Sequence, residues 1–251
     1  RCPNRAECYA SGTATFLLGG SICSRACAFC QVNKGKPSKV NIDESIKVAE
    51  AVKILNLKYV VLTSVARDDL LDHGANLFVS TINEIRKIDP KIQIEVLTPD
   101  LWGGGKSLED KDKLQKQRLK IILDTNPICF NHNLETVERL QKIVRRGASY
   151  RNSIGLLKKA KSIAPNIQTK SGIMLGLGET LEEIENTIVD LKKVDCDQIT
   201  IGQYLRPSLN HLSVKKYWEP REFEYLESFS KKLGFKKVSC GPLVRSSYHA
   251  G

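Results

Sequence analysis

The chain has 251 residues, 41% of them hydrophobic, which is enough for one large domain that buries its own core. Its 39 Lys and Arg against 28 Asp and Glu leave a formal charge of +11, pointing to an acidic partner: nucleic acid, an anionic membrane, a phosphate-bearing cofactor or an acidic protein. No apolar run approaches the ~18 residues that span a bilayer, and eight cysteines without an export signal argue for a reducing compartment and against a disulfide framework.

The chain opens at Arg1 with neither an initiator Met nor a targeting pattern, so a preceding segment is expected. Cys2 and Cys8 follow, then a first strand over residues 15–18. The loop after it carries Cys23, Cys27 and Cys30 in a CxxxCxxC spacing, with aromatic Phe29 before the last thiol. Four-iron clusters take thiolate ligands, and three thiols from one short loop hold three irons and leave the fourth open to a small molecule. A zinc knuckle completed by Cys2, Cys8 and His249 is the alternative, although structural zinc loops usually pair their cysteines two and two.

Ala49, Val52 and Leu55 recur at helical spacing, and a strand at 59–63 leads to Thr63 and Ser64 and then to Arg67, Asp68 and Asp69, an expected ion-paired network that orients its loop. Phe78, Ile82 and Ile85 mark the next helix and 92–97 the next strand. Gly103-Gly104-Gly105-Lys106-Ser107 lacks the leading glycine of a phosphate loop and reads as a plain turn. Asn126-Pro127 ends a helix before a strand at 128–130, which is followed by Asn131, Asn133 and Glu135 and by the stripe Val137, Leu140, Val144. A strand at 169–175, a capping box of Thr180 with Glu183, the stripe Leu181, Ile184, Ile188, Leu191, a strand at 198–204 and the stripe Phe223, Leu226, Leu233 closed by Gly234 complete the pattern. Cys129, Cys196 and Cys240 lie in apolar or strand-like surroundings and are expected to be buried packing thiols. Strands alternating with helices predict parallel βα units closing into a full or partial barrel, with the chemistry at the carboxyl ends of the strands.

The loop from Cys23 to Cys30 resembles the signature of radical S-adenosylmethionine enzymes. Further stretches narrow the resemblance to the lipoyl synthase family: Arg1-Cys2-Pro3-Asn4-Arg5-Ala6-Glu7-Cys8, Thr63-Ser64-Val65-Ala66-Arg67-Asp68-Asp69-Leu70, Asn131-His132-Asn133-Leu134-Glu135-Thr136 and Val244-Arg245-Ser246-Ser247-Tyr248. It implies a partial (β/α)6 barrel over 15–206, preceded at 1–14 by part of a second cluster motif and followed at 207–251 by an extension with the RSSY tail. It also implies two 4Fe–4S clusters. The first sits on Cys23, Cys27 and Cys30; the auxiliary cluster takes Cys2, Cys8 and a serine, Ser246 in preference to Ser247, its first cysteine lying five positions before Cys2.

S-adenosylmethionine is expected to contact Phe29, Thr63, Ser64, Asn131, Asn133 and Glu135, with Lys170 and Arg206 as candidates to neutralise its carboxylate. The implied reaction removes hydrogen from carbons six and eight of a protein-bound octanoyl chain and places a sulfur on each. The implied partners are octanoylated lipoyl carrier domains of 2-oxoacid dehydrogenase acyltransferases and of the glycine cleavage system, which are typically acidic, an electron donor, and an iron–sulfur carrier that repairs the consumed cluster; no nucleic acid or membrane is expected. A bacterial cytoplasmic location is expected, an organellar one staying open. The competing readings are a biotin synthase-like or methylthiolating radical enzyme and a zinc-stabilised nucleic-acid-binding module; 6% aromatic residues speak against the last.

Overall fold

The computed structural model describes residues 4–247. A short helix α1 (Arg5–Ala10) leads into β1 (Thr13–Leu18), and a parallel two-stranded pair, β2 (Ile22–Cys23) and β3 (Asn33–Lys34), brackets the cysteine loop. Then follow α2 (Glu44–Ile54), β4 (Tyr59–Ser64), α3 (Ala75–Ile88), β5 (Gln93–Leu97), α4 (Leu108–Leu123), β6 (Cys129–Asn131), α5 (Gln141–Val144), α6 (Tyr150–Ile163), β7 (Gln168–Leu175), α7 (Leu181–Lys193), β8 (Gln198–Gln203), α8 (Pro220–Lys232) and β9 (Lys237–Gly241). The main sheet runs β1-β4-β5-β6-β7-β8-β9 with every pair parallel, and β1 and β9 are its edges, so the barrel is partial and open. Six strands are each followed by a helical crossover, as a parallel sheet requires. The seventh strand, β9, lies beyond the six predicted.

Alternation along the strands sorts the two faces of the sheet. Val60 and Leu62, Ile94 and Val96, Phe130, and Ile199 and Ile201 pack outward against Val52, Phe78, Ile82, Leu119, Leu156, Ile188 and Phe223 from the helices, forming one continuous core. The opposite face is mostly polar. Glu95 there is fully buried, accepting from Tyr59 Oη at 3.0 Å, from Asn131 Nδ2 at 2.8 Å and from Lys170 Nζ at 3.2 Å on each oxygen. The opening between the two edge strands is crossed by the chain ends, where Asn4 Nδ2 donates to the Leu243 carbonyl at 2.8 Å.

Two expected core positions are not in the core. Leu55 is the C-cap of α2 and 49% exposed, and Leu181 is the first residue of α7 and 42% exposed; each sits where its helix turns out to solvent. The stripe Val137, Leu140, Val144 is buried but carried by a 3-10 turn, Glu138–Leu140, running into α5. Cys129 and Cys196 are buried, and burial pushes the Cys196 thiol up to about 12. Cys240, expected to be buried too, is partly exposed because β9 is an edge strand.

Glycine is required where the C-terminal segment crosses the sheet. A Cβ on Gly202 would collide with the Val244 carbonyl oxygen. Gly202→Ala is therefore expected to lower stability by about 1–3 kcal/mol, the usual cost of forcing an extra carbon into a filled site. Urea unfolding would read this as a lower midpoint with an unchanged slope.

Candidate active site

The cysteine loop is held from several sides. Gly19 and Gly20, both at left-handed φ, turn the chain away from β1 and donate their N–H groups to the Glu44 carboxylate at 2.8 and 3.2 Å. Cys23 Sγ accepts from the backbone N–H of Arg25 at 3.4 Å and of Ala66 at 3.3 Å. Arg25 forks onto Asp68, with Nε to Oδ2 at 3.0 Å and Nη2 to Oδ1 at 2.8 Å, and Nη2 also reaches Asp100 Oδ1 at 2.7 Å. Further along, the Ala28 N–H donates to the Val144 carbonyl at 2.8 Å, and His211 Nε2 donates to the Cys30 carbonyl at 3.1 Å, the only role a carbonyl partner permits. The expected Arg67, Asp68, Asp69 network divides: Arg67 pairs with Asp69 at 2.8 Å, and Asp68 serves the cysteine loop.

Cys23, Cys27 and Cys30 are thiols outside any disulfide and line one cavity of about 230 Å³. Burial pushes the Cys27 thiol up to about 11, against the pull of Arg145, and also raises that of Cys30. These two thiols therefore keep their protons at neutral pH until a metal displaces them. Among the described residues no three His, Cys, Asp or Glu side chains converge on a single ion. Three thiols lining one cavity are the ligand set that holds three irons of a four-iron cluster and leaves the fourth open. Cys2, Tyr248 and His249 lie outside the described residues.

The same cavity collects side chains from the carboxyl ends of consecutive strands: Thr63 and Ser64 of β4, Thr98 just after β5, and Asn133 and Glu135 just after β6, with Phe29 and Arg145 completing the wall. Ser64 Oγ, Thr98 Oγ1 and Asn133 Oδ1 are buried and have no hydrogen-bond partner within the protein. Buried polar atoms without partners are costly, and three of them around one cavity mark the place of a polar ligand. A polar small molecule beside three thiols therefore fits the residues present. Glu135 adopts φ +66°, an uncommon left-handed backbone for a side chain of its size, and bridges to β7 through its N–H to the Gly172 carbonyl at 2.9 Å. Burial raises its carboxyl, opposed by Arg145 and by the Asn133 amide, which donates to Oε1 at 3.0 Å.

Arg145, Thr98 and Arg25 line this cavity, with His132 behind Arg145, and were not singled out from sequence. His132 Nδ1 donates to the Thr98 carbonyl at 2.8 Å, which leaves Nε2 to accept from Ser153 Oγ at 2.9 Å and Arg145 Nη2 at 3.1 Å. Burial first, then Arg145, lowers the imidazole to about 3, so it is neutral at physiological pH. Arg145 is thereby fixed as a buried cation in the cavity wall.

Not every predicted residue reaches the cavity. Asn131 and Lys170 are buried against Glu95 on the concave face and are absent from the lining. Arg206 is exposed and caps the carbonyls of Leu209 and His211, bracing the loop whose imidazole holds Cys30. The two serines of the tail part company. Ser246 Oγ accepts from Asn133 Nδ2 at 2.7 Å and lines a second cavity of about 180 Å³ that shares Phe29, Asn133 and Glu135 with the first. Ser247 lines a third, of about 230 Å³, together with Arg5, Cys8, Tyr9 and Thr15. Gly172 lines the second cavity and makes room there, for a Cβ would stand 2.7 Å from Thr200 Oγ1 and 2.9 Å from Asn133 Oδ1.

Comparison with known proteins shows the family. Residues 17–191 match the Radical SAM superfamily. A protein of Prochlorococcus marinus subsp. pastoris named Lipoyl synthase 2 is 89% identical over 251 residues, all of this chain and 84% of its own length. Lipoyl synthase 2 of a Nostoc species is 57% identical over all of this chain and 83% of its own length, and Lipoyl synthase of Caldanaerobacter subterraneus subsp. tengcongensis 49% over 99% and 84%. Among solved structures, Streptococcus suis SuiB bound to S-adenosylmethionine superposes with a TM-score of 0.66 at 13% identity, over 93% of this chain and 52% of that one. Methylornithine synthase does so at 0.62 and 13%, over 90% and 70%. These two likenesses concern the fold alone. With a family match over most of its length and relatives this similar throughout, the chain belongs to the lipoyl synthase family of radical S-adenosylmethionine enzymes.

Proposed function

We infer that the chain inserts two sulfur atoms into a protein-bound octanoyl group, at carbons six and eight. The observation that carries this reading is the cavity in which Cys23, Cys27 and Cys30 face the unpartnered Ser64, Thr98 and Asn133 and which adjoins a second cavity ending at Ser246. When bound, the cluster and S-adenosylmethionine supply a reductively generated 5′-deoxyadenosyl radical, the means of attacking an unactivated C–H bond that side-chain acids and bases lack.

The chain's own residues position and shield. Ser64, Thr98, Asn133 and Glu135 offer the donors and acceptors for the cofactor's polar groups, and buried Arg145 supplies the positive charge first expected of Lys170 or Arg206. Phe29, Asn133 and Glu135 belong to both cavities, so they hold the cofactor edge against the octanoyl chain and exclude water between the two. For the auxiliary cluster, the grouping of Ser247 with Cys8 favours Ser247 as the oxygen ligand over Ser246, whose hydroxyl is bound to Asn133. A hard oxygen donor among soft thiolates leaves its iron easier to detach, which suits a cluster that is consumed.

The partners proposed are octanoylated carrier domains, a reductant and an iron–sulfur carrier, and the proposed location is the cytoplasm, where thiols stay reduced. Among the described residues no helix is long and apolar enough to cross a membrane. The test is an anaerobic preparation of protein that carries the upstream cysteine, assayed for iron, sulfide and conversion of an octanoyl-lysine peptide. About eight irons per chain and a peptide that gains two sulfur atoms are expected. Four irons with full activity would remove the auxiliary cluster from the reading, and a peptide left unchanged would remove the reaction.

A further inference from the structure

We propose that the segment after the cysteine loop, with Lys34, Lys36, Lys39 and Ile42, is the docking surface for an acidic protein domain that presents the octanoyl group. The proposal rests on the reaction inferred above and names where its protein substrate lands.

The segment begins at the cavity itself. Val32 lines the cavity with the three thiols, and β3 is paired to the strand carrying Cys23, so Lys34 stands at the rim. Lys34, Lys36 and Lys39 are exposed, and none has an ion-pair partner among the described residues. Between Cys30 and Asp43 the sequence holds no carboxylate. The two that follow are engaged: Asp43 lies 4.0 Å from Lys47, and Glu44 receives the N–H groups of Gly19 and Gly20. Among the described residues no ion pair neutralises the three lysines, although Asp72 and Glu44 line the neighbouring cavity.

The lysine strip is also held in place rather than free to collapse onto a surface carboxylate, since buried Arg67 donates from Nη2 to the Ser38 carbonyl at 3.0 Å in the middle of the segment. Beside the cations, Ile42 is 87% exposed and borders a cavity of about 310 Å³ with Val40 and Leu70. Fixed cations next to an exposed apolar side chain complement an acidic face with an apolar centre. The charges would steer encounter and the isoleucine would hold the complex.

The test compares wild type with a Lys36→Glu/Lys39→Glu double variant, first with dithionite and then with a protein reductant, on two substrates, an octanoylated carrier domain of net negative charge and a short octanoyl-lysine peptide. For the domain, KM is expected to rise about tenfold, close to 1.4 kcal/mol, and its salt dependence to flatten, while peptide turnover and 5′-deoxyadenosine yield stay unchanged. Ile42→Ser is expected to raise the same KM with the salt dependence intact.

A domain KM that ignores the charge reversal overturns the proposal, as does an equal loss with the peptide, which would mark a structural role. A defect that appears only when a protein reductant replaces dithionite would also overturn it, assigning the strip to the electron donor. A wild type inert toward peptide and domain alike would sink the reaction reading, and the docking surface with it; an active wild type confines any failure to the docking surface.

Discussion

Cys27→Ala is expected to reduce 5′-deoxyadenosine formation and sulfur insertion to background together, whereas Cys8→Ala is expected to leave 5′-deoxyadenosine formation in place and stop sulfur insertion. The difference follows from where the two thiols lie. Cys27 shares its cavity with Cys23, Cys30 and the unpartnered Ser64, Thr98 and Asn133, so its loss removes one of three ligands from the cofactor's own site. Cys8 lines a separate cavity with Ser247, across the chain-end contact that spans the sheet opening. Quantifying 5′-deoxyadenosine and thiolated peptide in the same reaction separates the two cases, and electron paramagnetic resonance of the reduced variants reports which cluster remains. An active Cys27→Ala, or a Cys8→Ala variant that no longer cleaves the cofactor, would undo the assignment of one cavity to each cluster.

What sequence alone could reveal depended on whether the relevant neighbours were local. The three thiols lie within eight residues, and the capping box of Thr180 with Glu183 forms as read, with backbone bonds of 2.8 and 3.2 Å. The glycine run before α4 is the turn expected of it: a Cβ on Gly103 would stand 2.8 Å from His73 and one on Gly104 2.9 Å from Arg118, and Ser107 caps α4 against Asp110 instead of facing a phosphate.

Helix α4 itself escapes a periodicity argument because its buried stripe includes Gln115 and Arg118, which bind the carbonyls of Asp100, Leu101, Gly103 and Leu71 instead of packing as apolar side chains. Strand β9 escapes because every one of its residues is half-buried, which erases the alternation. Arg145 stands in a run with Arg146 and Lys142 that reads as solvated surface, and only the tertiary fold turns it inward onto His132 and Ser153. Lys170 shows the reverse: a cation suited to a cofactor carboxylate was already matched by Glu95, a partner 75 residues away.

Arg25→Met is expected to lower stability by about 3–5 kcal/mol, the penalty for leaving a buried charge without its partner, and to lower the iron content of the protein. Asp100 is 1% exposed and depends on Arg25 at 2.7 Å, whereas Asp68, a third exposed, can recover hydration. For a chain of this size the loss corresponds to a melting temperature lower by about 10 °C. Neutralising the stranded carboxylate in an Arg25→Met/Asp100→Asn variant should return much of it, which simple loss of packing by the arginine stem would not allow.

The sign of the pH effect follows from Asp100. Burial raises its carboxyl, but the hydrogen bond and charge of Arg25 outweigh burial and leave it below the usual range. Stability from a depressed carboxyl is fully present above its unfolded value near ~3.9 and is lost as pH falls toward the folded one. The gap between wild type and Arg25→Met should therefore be widest at neutral pH and narrow as pH falls, beginning above about pH 4 because burial raises the Asp100 carboxyl once Arg25 is gone. Because the same guanidinium ties the thiol loop to the loops after β4 and β5, iron content should fall at a temperature where the variant is still folded. A variant that matches wild type in both melting temperature and iron content would show that backbone contacts at Cys23, Ala28 and Cys30 hold the loop without Arg25.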